Sequence, residues 1–207
     1  MSQPPSTWDE SRHAFEEAAA WFVTTTASVG DRWDRPGLGE WDVRSLVGHT
    51  SRALLTVETY LSRPADTVQL ASTADYYAAT RTVAGGTDVA ARGREAGAAL
   101  GPDPSAAVSA VAARVVPLLA ACSGAELVTT IAGGMRLADY LPTRTFELVV
   151  HTADLARALD LPADPPSTAA SHALALASRL AVDRGLAGPL LLAATGRDGL
   201  PAGFSVL

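Results

Sequence analysis

The chain has 207 residues, 48% of them hydrophobic and 18% charged, with a formal net charge of -6 and a pI near 5.1. That length suits one main domain with a small addition, and the composition is that of a packed globular protein rather than a disordered one, apart from a Ser/Pro-rich N-terminal tip. The acidic balance excludes a phosphate-backbone partner, which needs Lys and Arg to displace counterions, so no nucleic acid is expected.

In chain order, Thr7 and Glu10 form a capping-box pattern, and Phe15, Ala18, Ala19 and Phe22 recur at helical spacing, predicting a first helix from Trp8 to about Val29. Gly30 to Glu40 is glycine-rich and reads as a loop. Asp42 suits an N-cap, flanked by Trp41 and Leu46 at staple positions, for a second helix from Val43 to about Leu61. After a linker from Arg63 to Thr73, helical composition returns in Ala74–Ala84, Asp88–Leu100 and Ala106–Ala121, with Thr87 and Ser105 as N-caps and a disturbance at Pro117. Leu127 to Ala132 is expected to be extended, Gly133-Gly134 to turn the chain, and a long helix to run from about Pro142, at a first helical position, to Leu159. Beyond the linker Asp164–Pro166, Thr168–Arg184 reads as helix, Leu190–Ala194 as a strand, and Phe204–Leu207 as a second strand paired with it.

The opening Met-Ser-Gln-Pro-Pro-Ser has no basic segment leading into an apolar one, and no run of about 18 uncharged apolar residues occurs. A cytoplasmic protein with no membrane partner is therefore expected. Cys122, without a second cysteine, reads as a small buried filler. All 16 basic residues are Arg, Asn is absent, and Ile131 is the one isoleucine; the missing residues have A/T-rich codons, so the bias reflects a high-GC genome.

On the long helix near the end, Arg144, Glu147, His151 and Asp154 are spaced by three, four and three, which places all four on one stripe. Val150 flanks that stripe on one side and Leu148, Leu155 and Leu159 on the other, while Thr145, Ala156, Arg157 and Asp160 fall on the opposite, outward side. The stripe therefore points into the bundle, where such groups are costly unless paired or bound to metal. Glu147 and His151, one turn apart, can converge on one ion. His49 lies on the line Leu46, Ala53, Val57 and Tyr60 of the second helix and is the best third ligand. Two His and one Glu make the ligand count of a catalytic zinc site with an open position; nickel, iron and manganese fit as well. Taken singly, His49 also reads as a core histidine, and Glu147 with His151 as a surface ion pair. His13 and His172 have no partners at ligand spacing.

Two segments carry a family resemblance. Gly39-Glu-Trp-Asp-Val-Arg-Ser-Leu-Val-Gly-His49, and Arg144-Thr-Phe-Glu147-Leu-Val-Val-His151-Thr-Ala-Asp154-Leu, resemble the signatures of the mycothiol-dependent maleylpyruvate isomerases, a branch of the DinB-like bundles. The resemblance covers most of residues 8–160. It implies a mainly α fold, an up-down-down-up four-helix bundle over residues 1–160; the segment 161–207, by its own pattern, reads as a small C-terminal α/β appendage. It also implies Zn²⁺ on His49, Glu147 and His151, with mycothiol, the sugar-based thiol of high-GC Gram-positive bacteria, as cofactor.

The activity implied is thiolate addition to a small electrophile, by cis-trans isomerisation or S-transfer, in a monomer or homodimer. Asp154 would orient His151, Arg144 would balance Glu147 or clamp an anionic substrate, and Arg197 would contact a substrate carboxylate. The full isomerases of that family carry a larger C-terminal domain than the 45 residues that follow Pro162 here. A metal-dependent hydrolase and a non-catalytic binding protein are the alternatives.

Overall fold

A computed structural model describes residues 7–84 and 88–207. Helix α1 (Trp8–Ala27) opens with the expected capping box: the Thr7 hydroxyl accepts from Glu10 N–H and the Glu10 carboxylate accepts from Thr7 N–H at 2.7 Å. Strand β1 (Pro36–Leu38), inside the segment read as loop, pairs antiparallel with β2 (Trp41–Asp42) just after it, and the ribbon ends at helix α2 (Val43–Leu61). Asp42 caps α2 by accepting from Ser45 N–H at 2.7 Å. Helices α3 (Thr73–Ala84), α4 (Asp88–Ala99) and α5 (Pro104–Val115) follow. The expected cap Thr87 lies outside the described residues. At α5 the cap is Asp103 rather than Ser105, because its carboxylate reaches Ala106 N–H at 3.0 Å and Pro104 takes the first helical position.

Pro117 shifts the end of α5 into a 3-10 helix over Val116–Ala121, as its missing N–H requires. Strands β3 (Leu127–Thr130) and β4 (Gly133–Arg136) form a hairpin. Its turn is at Ile131-Ala132, and Gly133-Gly134 belongs to β4, not to the turn: Gly134 takes the backbone of the crossing linker against it, its carbonyl accepting from Gln69 N–H and Leu70 N–H. Helix α6 (Leu137–Ala158) starts five residues earlier than expected, so Pro142 is internal. Only one helical turn precedes Pro142, so the hydrogen bond it deletes is near the helix end.

Helices α7 (Ser167–Asp183) and α8 (Ala187–Ala194) complete the chain. The two strands expected in the C-terminal segment are not formed. Leu190–Ala194 lies within α8, and Phe204–Leu207 has no ladder partner. An apolar run of five does not distinguish a strand from a short helix by periodicity, and Pro189 near the start of α8 favours the helix. Helix α7 packs along α1 and α6. Helix α6 is thus packed by α1, α2 and α7 together, and Thr145 and Ala156, expected on its outer side, are buried.

The described chain is mainly α, and α1, α2, α5 and α6 form a four-helix bundle of the DinB-like kind. Side-chain ties define helix direction. Trp8, at the start of α1, packs at Gly124, beside Ala138 at the start of α6. At the other end the Arg32 guanidinium, held by the Val29 and Ser28 carbonyls, donates to Leu159 O at 2.9 Å. Helices α1 and α6 are therefore parallel. Arg44, near the start of α2, donates to Gly101 O just before α5, while Glu58 near the end of α2 pairs with Arg114 near the end of α5 at 2.7 Å. Helices α2 and α5 are parallel too, and the α2–α5 connection carries α3 and α4.

Phe15, Phe22, Leu46, Leu54, Leu148 and Leu155 are fully buried between these helices. Pro104–Ala121 meets the length and composition of a membrane span, with a mean hydropathy of 1.5 and 28% of it buried. It packs on α1 and α2, carries the ion-paired Arg114 and is interrupted at Pro117, the features of a bundle helix.

Helix α4 lies against α2 through paired glycines. A Cβ on Gly48 would fall 2.1 Å from the Gly97 nitrogen, and one on Gly97 would fall 2.7 Å from the Arg44 carbonyl oxygen. Gly48→Ala is expected to push the two backbones apart and destabilise the fold by about 1–3 kcal/mol. Urea denaturation checks this; a wild-type midpoint would show that the close approach is not required.

Candidate metal centre

His49 comes from the middle of α2, one turn above Leu46 and one below Ala53; those two, with Val57 and Tyr60, are buried as their spacing predicts. Glu147 and His151 come from one face of α6. Across the α2–α6 contact the His49 and His151 rings meet edge to face, centroids 4.9 Å apart. The candidate donor atoms of His49, Glu147 and His151 all lie within 4.8 Å of one another. Side chains from two segments about a hundred residues apart thus converge at one point, at the wall of a cavity of about 570 Å³.

The charges are arranged around His151. Its Nε2 is 3.4 Å from Glu147 Oε2 and its Nδ1 is 3.3 Å from Asp154 Oδ2. Burial opposes a charge on His151, but hydrogen bonding to Asp154 and Glu147 outweighs it and raises the pKa to about 9. Burial also opposes the Glu147 carboxylate; His151, Arg144 and Tyr77 overcome this and lower its pKa to about 2. His49 goes the other way. Burial, and next the positive His151, press its pKa down to about 4, so at neutral pH it is an uncharged imidazole with a free lone pair.

These residues fit a metal ion. An ion pair between His151 and its two carboxylates accounts for α6 but leaves out His49, whose Nδ1 is buried without a hydrogen-bond partner and whose ring faces Trp41 at 4.5 Å. Buried polar atoms without partners are few in folded proteins and call for an explanation. The separation of 3.4 Å between His151 Nε2 and Glu147 Oε2 is close to the roughly 3.3 Å expected of two donors each about 2.0 Å from one tetrahedral ion. Two imidazoles and a carboxylate suit zinc or another transition metal better than calcium or magnesium, which prefer oxygen. Side-chain exposures of 16% for His151 and 22% for Glu147 leave the site reachable from the cavity.

Arg144 lines the same cavity. Its guanidinium lies over the rings of Tyr76 and Tyr140 at 5.4 and 5.1 Å, and its Nε donates to the Thr143 hydroxyl at 2.8 Å. Burial opposes its charge, yet the surrounding tyrosines and Glu147 hold its pKa above the usual arginine value. It makes no direct ion pair among the described residues. Arg197 is exposed and is not among the residues lining the cavity; the turn after α8 that carries it, where Arg197 N–H binds Leu192 O, keeps it away. His13 lies beside Glu16 and Glu17 on the outside of α1, and Cys122 is half-buried with its thiol against Leu118 O.

Several cavity residues carry no sequence signal or only a faint one. Arg52, one turn after His49, also lines the cavity and could have been placed there by spacing alone. Tyr76 and Tyr77 of α3 could not, because only the tertiary fold brings them to Glu147 and Arg144, some seventy residues away. The Tyr77 hydroxyl donates to Glu147 Oε1 at 2.9 Å and lies 3.3 Å from Thr143 O. Burial, then the charge of Glu147, holds its pKa well above that of a free phenol, so it is a donor.

Residues 11–156 match the family described as the mycothiol maleylpyruvate isomerase N-terminal domain. The chain belongs to that family. The matched span covers more than half of the chain and includes His49, Glu147 and His151. No curated protein and no solved structure gave a match.

Metal loading tests the centre directly. The purified chain is expected to bind one equivalent of Zn²⁺ by elemental analysis, and His49→Ala, Glu147→Gln and His151→Ala each to reduce this to background. Asp154→Asn is expected to retain binding with about tenfold weaker affinity. A folded His49→Ala variant that loads like wild type would remove His49 from the ligand set.

Proposed function

We propose that this protein is a metal-dependent enzyme that uses mycothiol to attack a small electrophile. The observation that carries the reading is the convergence of His49, Glu147 and His151 at the wall of a cavity. Membership of a family described by mycothiol and maleylpyruvate isomerase supports the choice of thiol.

His49, Glu147 and His151 would hold the ion, and three protein ligands leave room for one more. Zn²⁺ bound there would supply Lewis acidity, keeping a thiol deprotonated at neutral pH. Asp154 accepts from His151 Nδ1–H, which leaves Nε2 as the donor toward the cavity. Arg144, uncommitted to any carboxylate, offers its remaining N–H groups to an anionic part of the substrate. Trp41, Tyr60 and Val89 give the cavity an apolar wall that limits water near the thiolate.

The thiolate sulfur adds to an activated carbon-carbon double bond, and the electron pair moves to the conjugated carbonyl. Rotation about the resulting single bond and expulsion of the thiolate give the cis-trans isomer; protonation of the adduct instead gives an S-conjugate.

The test is incubation of the zinc-loaded protein with mycothiol and unsaturated acids, followed by mass spectrometry and thermal shift. Isomers or conjugates are expected, with stabilisation by mycothiol that disappears on chelation. Arg144→Met is expected to raise KM for an anionic electrophile at least about tenfold, corresponding to the loss of a charge-assisted hydrogen bond. Stabilisation by mycothiol that survives chelation, with no product, would contradict the proposal.

A further inference from the structure

Glu147 can meet a metal through one oxygen or through both, and the choice decides how many positions remain for a thiol. Its two oxygens are in different surroundings. Oε2 faces His151 Nε2 at 3.4 Å, on the side of the donor cluster, whereas Oε1 accepts the Tyr77 hydroxyl at 2.9 Å. Tyr77 does not belong to the bundle helices. It is on α3, in the α2–α5 connection, with its ring edge to face against Phe146 and against Tyr76, both centroid separations being 5.8 Å. The same hydroxyl is 3.3 Å from the carbonyl of Thr143, one turn below Glu147, so the phenol is registered against the backbone of α6 as well as against the carboxylate.

We propose that Tyr77 is a positioning residue of the metal centre: its hydroxyl occupies one oxygen of Glu147 and restricts this carboxylate to one-oxygen ligation. The position that a second oxygen would fill then stays open for the thiol. A carboxylate with a fixed hydrogen-bond donor has lost most of its rotational freedom before the metal arrives, which favours binding. Because Tyr76, the preceding residue, stacks on Arg144, α3 touches both the metal ligand and the candidate anion contact, and its seating on α6 governs the two together.

The inference rests on the metal-centre reading, and Co²⁺ serves as the probe because its visible absorption is strong in four-coordinate sites and weak at higher coordination. Tyr77→Phe removes one oxygen and retains the ring; Tyr77→Met removes the same oxygen from a side chain of different shape. Both are titrated with Co²⁺ alongside the wild type, and circular dichroism verifies folding.

The wild type is expected to give an intense four-coordinate spectrum. Each folded variant is expected to bind Co²⁺ about tenfold more weakly, with a less intense spectrum as the released carboxylate chelates through both oxygens. A folded Tyr77→Phe variant with wild-type affinity, or with weaker affinity and an unaltered spectrum, would overturn the positioning role while leaving the metal centre intact. A wild type that takes up no Co²⁺ would overturn the metal centre and the role of Tyr77 with it.

Discussion

The arrangement depends on one constraint: ionised groups removed from water must be compensated within a few ångströms. Helix α6 turns Glu147, His151 and Asp154 toward the bundle, and the contacts made by Glu147 and His151 offset the burial that opposes their charges. Two carboxylates hold His151, and Tyr77 and His151 hold Glu147. The one member without such compensation is His49, kept neutral with a buried unpartnered nitrogen. An internal ion pair on α6 alone does not explain that exception. Three polar groups completed by a cation cost less to bury than the same three left to each other.

The bundle supplies the precision. Helices α2 and α6 carry all three candidate ligands, and both are regular over five or more turns. Gly48 and Gly97 let α4 approach α2 beside His49, and Arg32 fastens the ends of α1 and α6. The less regular parts of the fold have another role. Helices α3 and α4 in the α2–α5 connection, Leu38, Ile131 and Leu180, and the C-terminal residues Val206 and Leu207 make the remaining cavity wall. A rigid pair of helices thus holds the ligands while connecting segments shape the space in front of them, the usual division between scaffold and specificity.

Much of this was readable from spacing. Arg144, Glu147, His151 and Asp154 form a stripe because three- and four-residue steps do so in any helix, and the Leu46, Ala53, Val57 line placed His49 on a core face. The legible caps were those with a carboxylate or hydroxyl at the correct offset, as at Thr7 and Asp42. Reading failed where a local pattern has two solutions. Leu190–Ala194 is apolar enough for strand or helix, and Gly133-Gly134 serves equally as a turn or as a strand crossed by another segment. Pro142 has the chemistry of a helix start yet lies one turn inside α6. Thr145 and Ala156 read as solvent-facing because nothing in α6 itself announces how many helices pack on it. Tyr77 was out of reach for the same reason: a hydrogen bond over seventy residues leaves no periodicity.

Anomalous X-ray diffraction from crystals grown with Zn²⁺, collected on both sides of the zinc absorption edge, tests the central claim most directly. The account predicts one strong peak per chain, about 2.0–2.2 Å from a nitrogen of His49, a nitrogen of His151 and one oxygen of Glu147. A map with no peak between α2 and α6, or with His49 turned away from a peak held by other residues, would contradict it.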